Sequence, residues 1–317
     1  MKLQTILTAN MSCRLFTTKP FFKKGQQFFH KHIFSIFFSD CLGLMVFAIC
    51  PNNSTNIDFY KMSGNCMMAY RRYLATIFHM NVWYESDFKP GSRLWRSLAE
   101  IRNKHNSASK RSCISDLGEI TQKDMALTQF GFMGFALVRS KMVGIHEASE
   151  EEWKAFLHVW RVVGYVLGIE DRFNLCNRSV KETRDICNLL IDQVYRPYVE
   201  KKDEDFISMC TYLVNGLWSM SPIINVKSLF CYLHIIVQNN VKNEKIQPTY
   251  MKLNFVQNLN FNVLLYSMYL LQYNWFRIYQ NFTKVVSLWL MKVFPFLAYY
   301  QFGIANSHVY ILDDKNK

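Results

Sequence analysis

The chain lacks the short motifs that announce most nucleotide and hydrolytic chemistry. It has no GxGxxG and no GxxxxGK[ST], so no dinucleotide or P-loop site is signalled. HExxH and GxSxG are missing as well, which removes a zincin helix and a nucleophile elbow. The nine cysteines (Cys13, Cys41, Cys50, Cys66, Cys113, Cys176, Cys187, Cys210 and Cys231) contain no CxxC pair, and their number is odd. Neither a zinc cluster nor a disulfide framework fits that spacing, and small buried hydrophobes in a reducing environment do. The eight histidines form no cluster with zinc spacing. Strand-like alternation beyond a few residues and internal repeats are also missing.

Acidic residues are scarce at both ends. Residues 1–32 carry six Lys/Arg and no Asp/Glu, and residues 222–317 carry nine against three. The middle, 33–221, is balanced at 22 to 21, so the net charge of +13 sits on the flanks. A nucleic-acid binder usually carries its basic stripe on the folded domain, and nucleic acid is not an expected partner. Basic flanks beside apolar segments suit a membrane surface.

What is present is hydrophobic and helical. Half of the 317 residues are hydrophobic and 16% are aromatic, enough for a full core. The run "IFSIFFSDCLGLMVFAIC" (33–50) approaches the length of a bilayer span but contains Asp40, so a buried helix competes with a span. Asn52 and Asn53 begin weak glycosylation sequons in the loop after it. A helix is expected over 66–84, and a polar one over 96–112. Thr121 with Asp124, and Ser149 with Glu152, have the form of helix-starting capping boxes. Gly131 and Gly134 would let another helix or a flat ligand approach closely. Gly168 ends the helix that buries Trp153, Phe156, Trp160, Val163 and Leu167, and two further helices cover 178–200 and 203–218. In the last 95 residues Gly303 is the only glycine. The runs 261–276 and 285–304 there are either a membrane anchor or interfacial hairpin, or apolar helices covering the core.

Polar residues on three helical faces make the candidate site. Arg102, His105, Ser109 and Ser112 share one stripe of the polar helix, where a core-facing stripe would be apolar. Arg72 and Thr76 share a second face, and His158 and Arg161 a third. A neutral imidazole is a good axial ligand for haem iron, and arginines suit haem propionates or a bound oxyanion. His79 is a competing ligand close to Thr76, while Met67, Met68 and Met80 read as packing.

The segments "RRYLATIFHMNVWYESD", "SLAEIRNKH", "TQFGFMGFALV", "FLHVWRVVGYVLGIEDRFN" and "NGLWSMSP" carry a resemblance. In that order, from Arg71 to Pro222, they resemble the catalytic domain of the rubber oxygenases (latex-clearing proteins) and the ER-bound mpaB-type oxygenases, over about half the chain. The pattern from His158 to Asp171 is the most specific part. The resemblance implies an all-α, globin-like bundle around haem b, with apolar helices at both flanks. It implies that His105 is the proximal iron ligand, supported by Arg102. Arg72 and Thr76 would face the distal oxygen side, and His158 and Arg161 would belong to the haem pocket or its surroundings. Two positions depart from the family: Ala75 stands where a lysine precedes the distal Thr, and no Glu precedes Glu85.

The expected organisation is a basic N-terminal segment over 1–56, an oxygenase-like helical domain over 57–222, and apolar, basic C-terminal helices over 223–317. The expected function is a haem-b-dependent oxidoreductase using dioxygen on an apolar isoprenoid or lipid-like substrate. The rival is a non-catalytic, membrane-associated helical protein that binds haem or a lipid. The expected location is a membrane, the endoplasmic reticulum by resemblance, with the cytoplasm as the alternative.

Overall fold

A computed structural model describes residues 19–47, 65–115, 118–201, 204–222, 224–239 and 252–312. The sequons at Asn52 and Asn53, Cys13 and Cys50 lie outside them. The described residues contain helices and no strands, so the protein is all-α. The elements are α1 Lys19–Lys31, α2 Ile33–Phe47, α3 Cys66–Glu85, α4 Arg93–Ile114, α5 Gln122–Val138, α6 Glu150–Leu167, α7 Val180–Leu190, α8 Arg196–Lys201, α9 Glu204–Gly216, α10 Val226–Gln238, α11 Phe255–Leu270, α12 Asn274–Val293, α13 Phe296–Phe302 and α14 Ile304–Ser307.

Local chemistry fixes the helix starts. Ser92, Thr121, Ser149, Ser179 and Asn254 each accept a hydrogen bond from a backbone N–H in the first turn. At Thr121, Ser149, Ser179 and Asn254 the reciprocal side-chain bond closes a capping box. Gly168 closes α6 in the left-handed conformation, with φ +106.

Helix α2 is the axis of the core. Twelve of its fifteen residues are buried, Asp40 among them, so the 33–50 run is an interior helix as far as it is described. It crosses α5 at two glycines. A Cβ on Gly43 would lie 1.8 Å from the Gly131 carbonyl oxygen, so the backbones touch and no larger residue fits. The glycine pair thus seats a helix rather than a flat ligand.

Helix α1 lies along α6. Phe28 packs on Trp153 and Phe156 with ring centroids 5.1 and 5.2 Å away, and Lys31 pairs with Glu152 at 2.7 Å. α3 packs against α4 and α9, and α4 against α6. One continuous cluster of buried side chains runs from Phe22 to Ala298, each large member contributing about 1.5–3 kcal/mol.

The C-terminal helices lie over this core, and neither apolar run there forms a single helix. The first breaks at Leu271–Tyr273, between α11 and α12. The second breaks at Phe294–Pro295, where proline lacks the N–H that would continue α12. Among the described residues no single helix is long and apolar enough to cross a membrane. Asn274–Val293 and Phe296–Phe302 meet that test only as a pair, bent by 55°.

Candidate functional site

The polar stripe of α4 is mostly spoken for. Arg102 Nη1 donates to the Val166 carbonyl at 2.8 Å. That carbonyl belongs to the last turn of α6, where backbone acceptors have no helical partner and a cation is favoured. Ser109 Oγ accepts from the Ile120 N–H at 3.0 Å and ties down the loop before α5, and Ser112 is buried. The stripe therefore binds α4 to α6 and to the incoming chain.

His105 is the exception. Its ring is half-buried, and its Nδ1 is enclosed without a hydrogen-bond partner. Burial pulls its pKa down to about 4, and the positive charge of Arg72 adds to the fall. At neutral pH the imidazole is uncharged, and in its Nε2–H tautomer the Nδ1 lone pair is left for a ligand. Leaving such a nitrogen unpaired costs about 1–3 kcal/mol, which a bound group would recover.

Helix α3 brings Arg72 to this place. The Arg72 guanidinium is itself lowered from its usual pKa by burial. Thr76 lies one turn on, but its hydroxyl donates to the Arg72 carbonyl at 3.1 Å and is used within the helix. Ala75 beside it is half-buried.

The third pair sits in different surroundings. His158 on α6 is covered by Phe21 of α1, with ring centroids 5.4 Å apart. Its Nε2 is also enclosed without a partner, and burial, then Arg161, pull its pKa to about 4. Arg161 is exposed, and its carbonyl accepts from Asn174 Nδ2 at 2.9 Å. The structure thus brings the Arg72 charge within electrostatic reach of His105, ties Arg102 to the end of α6, and leaves Arg161 facing solvent.

One cluster escaped the reading of the sequence. His79 Nδ1 lies 2.8 Å from Ser97 Oγ, which also accepts from Trp83 Nε1 at 2.9 Å. Glu100 Oε1 is 3.6 Å from His79 Nε2. The order Ser–His–Glu is that of a hydrolytic triad, but Ser97 has no exposure and no route to a substrate. Burial holds His79 at about pH 4 despite Glu100, so a neutral ring joins α3 to α4. The i, i+4 pair His79/Trp83 facing the i, i+3 pair Ser97/Glu100 was the available signal.

Among the described residues no three His, Cys, Asp or Glu side chains are gathered as a metal site. Haem asks for less, since a single axial imidazole can hold its iron. His105 fits that demand by its neutral ring and uncommitted nitrogen, and Arg72 adds a cation beside it. The chain matches no family model, no curated protein and no solved structure.

Proposed function

We propose that the protein is a membrane-resident, haem-b-dependent oxidoreductase acting on an apolar, isoprenoid or lipid-like substrate. The observation that carries this reading is His105, a half-buried neutral imidazole with an unpartnered, enclosed nitrogen within electrostatic reach of the Arg72 cation. His105 would hold the iron, and the haem would supply dioxygen activation when bound. Burial chiefly keeps His105 unprotonated, and Arg72 would add to this by raising the cost of a second cation while placing positive charge near the ligand. Arg102 would keep α4 and α6 in register, so that His105 stays where α3 meets it. The endoplasmic reticulum is the membrane the sequence resemblance suggests.

The test is the visible spectrum of the protein expressed with ample haem. A Soret band in the wild type that is lost or shifted in His105→Ala supports the assignment. A folded wild type without a Soret band removes it. Ala75 and the lack of an upstream glutamate favour a second reading, a haem carrier without turnover. Oxygen-dependent loss of an isoprenoid or lipid separates the two, because a carrier leaves its ligand unchanged.

A further inference from the structure

The largest feature that the His105 site does not use is the outer surface of α11 to α14. Among the described residues twenty-four large hydrophobic side chains are exposed, and nineteen of them lie between Phe255 and Tyr310. A scattered exposed hydrophobe needs no explanation, but a contiguous set marks an interaction surface.

Helix α12 shows how the surface is built. Trp275, Ile278, Phe282, Val285, Trp289 and Val293 recur at helical spacing and are each 51–67% exposed. The opposite stripe holds the helix to the core. Asn281 Nδ2 donates to the Lys31 carbonyl at 2.9 Å, and Asn281 Oδ1 accepts from the Phe34 N–H at 3.1 Å. Lys284 Nζ stands 4.6 Å from the Phe37 ring centre, Ser287 Oγ donates to the Met220 carbonyl at 2.9 Å, and Leu288 and Met291 are buried. Asn281, Lys284 and Ser287 of α12 thus turn inward and Trp275, Phe282 and Trp289 outward, the reverse of a helix on a water-facing protein.

We infer that this face is a lipid-docking surface that lies in the headgroup plane of an anionic bilayer without crossing it. Two observations choose lipid over a second copy of the chain, and a third chooses the plane of the bilayer over a span. The 68 residues from 245 to 312 contain no Asp or Glu, and of their cations Lys252 and Lys292 are exposed and Arg277 half-buried, whereas Lys284 turns inward. A face of one sign repels its own copy across a two-fold interface and attracts anionic headgroups. The exposed set is rich in Trp and Tyr, the side chains that prefer the boundary between headgroups and acyl chains. The 55° bend at Phe294–Pro295 and the exposed Lys292 beside it keep α12 and α13 from forming one straight span. An apolar cleft of about 270 Å³ at that bend, lined by Met220, Phe282, Leu290, Phe294 and Phe296, opens on the same face.

This inference rests on the membrane residence proposed above and is independent of haem. Flotation of the purified full-length protein with phosphatidylcholine vesicles, with and without phosphatidylserine, tests it. The variants are the triple substitution Trp275→Ser/Phe282→Ser/Trp289→Ser and a control, Ile114→Ser/Tyr165→Ser/Leu189→Ser, whose positions are exposed elsewhere. The expected result is that wild type and control float, phosphatidylserine strengthens binding, and the α12 triple variant partitions at least about tenfold less. Circular dichroism showing full helix content in that variant attributes the loss to the surface. If wild type and α12 variant float equally, the surface assignment falls and membrane residence stands. If the wild type does not float, both fall. Resistance of the floated protein to alkaline carbonate would overturn the in-plane mode in favour of a span. A dimer that the α12 triple variant dissociates, with no flotation, would give the face to a second copy.

Discussion

Helices α6 and α12 differ by two residues in length and are opposite in orientation. α6 turns Trp153, Phe156, Trp160 and Val163 into the core and leaves Glu150, Glu151, Lys154 and Arg161 in solvent. α12 gives Trp275, Phe282 and Trp289 to the outside and Asn281, Lys284 and Ser287 to the protein. The same hydrophobic periodicity faces the core in one helix and the exposed surface in the other. Amphipathic spacing reports that a helix has two faces, and only the neighbours decide which face is inside.

The sharpest way to break this contrast is to shorten one phenylalanine in each helix. Phe156 is fully buried between α1 and α6, and Phe156→Ala should cost about 3–5 kcal/mol. Phe282 is 65% exposed, and Phe282→Ala should change stability by no more than about 0.5 kcal/mol. Denaturant unfolding in a mild detergent measures both. Equal losses would mean that α12 belongs to the core as α6 does.

Acid should loosen the attachment of α12 next. His32 follows Lys31, whose carbonyl accepts from Asn281 of α12, and its ring is fully buried with neither nitrogen partnered. Burial pulls its pKa to about 3, Lys31, Arg277 and His146 push the same way, and Glu152 opposes them. The folded protein therefore keeps this ring neutral while the unfolded chain protonates it below about pH 6.5. Stability should be full above that pH and fall as pH drops toward 3, by about 4 kcal/mol for this group. His32→Leu should flatten that part of the profile, and an unchanged slope would assign the acid sensitivity elsewhere.

The smallest effect concerns helix starts. α6 begins on a capping box at Ser149, whereas the residue before α12, Tyr273, makes no side-chain cap. Ser149→Ala should cost about 1 kcal/mol. Tyr273→Ser should gain a few tenths at most, since an N-terminal serine there could accept from the free first-turn amides. Thermal midpoints of the two variants check the pair.

Much of the fold was legible because its signals are local. The boxes at Thr121 and Ser149 and the glycine stop at Gly168 need only neighbouring residues, and all three stand where the sequence puts them. Asp40 inside an apolar run pointed to an interior helix as readily as to a span, and α2 is buried. Helix α1 was not read, although Phe22, Gly25, Phe28 and His32 repeat at helical spacing. Its partner is α6, more than a hundred residues away, and the pairing of Lys31 with Glu152 has no local trace. The site was legible as a polar stripe but not as a division of labour. That Arg102 serves the end of α6 while His105 stays unpartnered depends on which helix lies opposite.

The contact between Gly43 and Gly131 also has a consequence for motion. Two helices whose backbones touch cannot slip past each other by even a fraction of a turn without collision. α2 and α5 are therefore locked along their length, as a bolt is locked by a notch. Any opening of this protein, whether to admit a ligand or to settle on a surface, must swing around that point and cannot shear through it. The place to look for slow exchange is the periphery, and the amides of α2 and α5 should be the last to exchange their hydrogens.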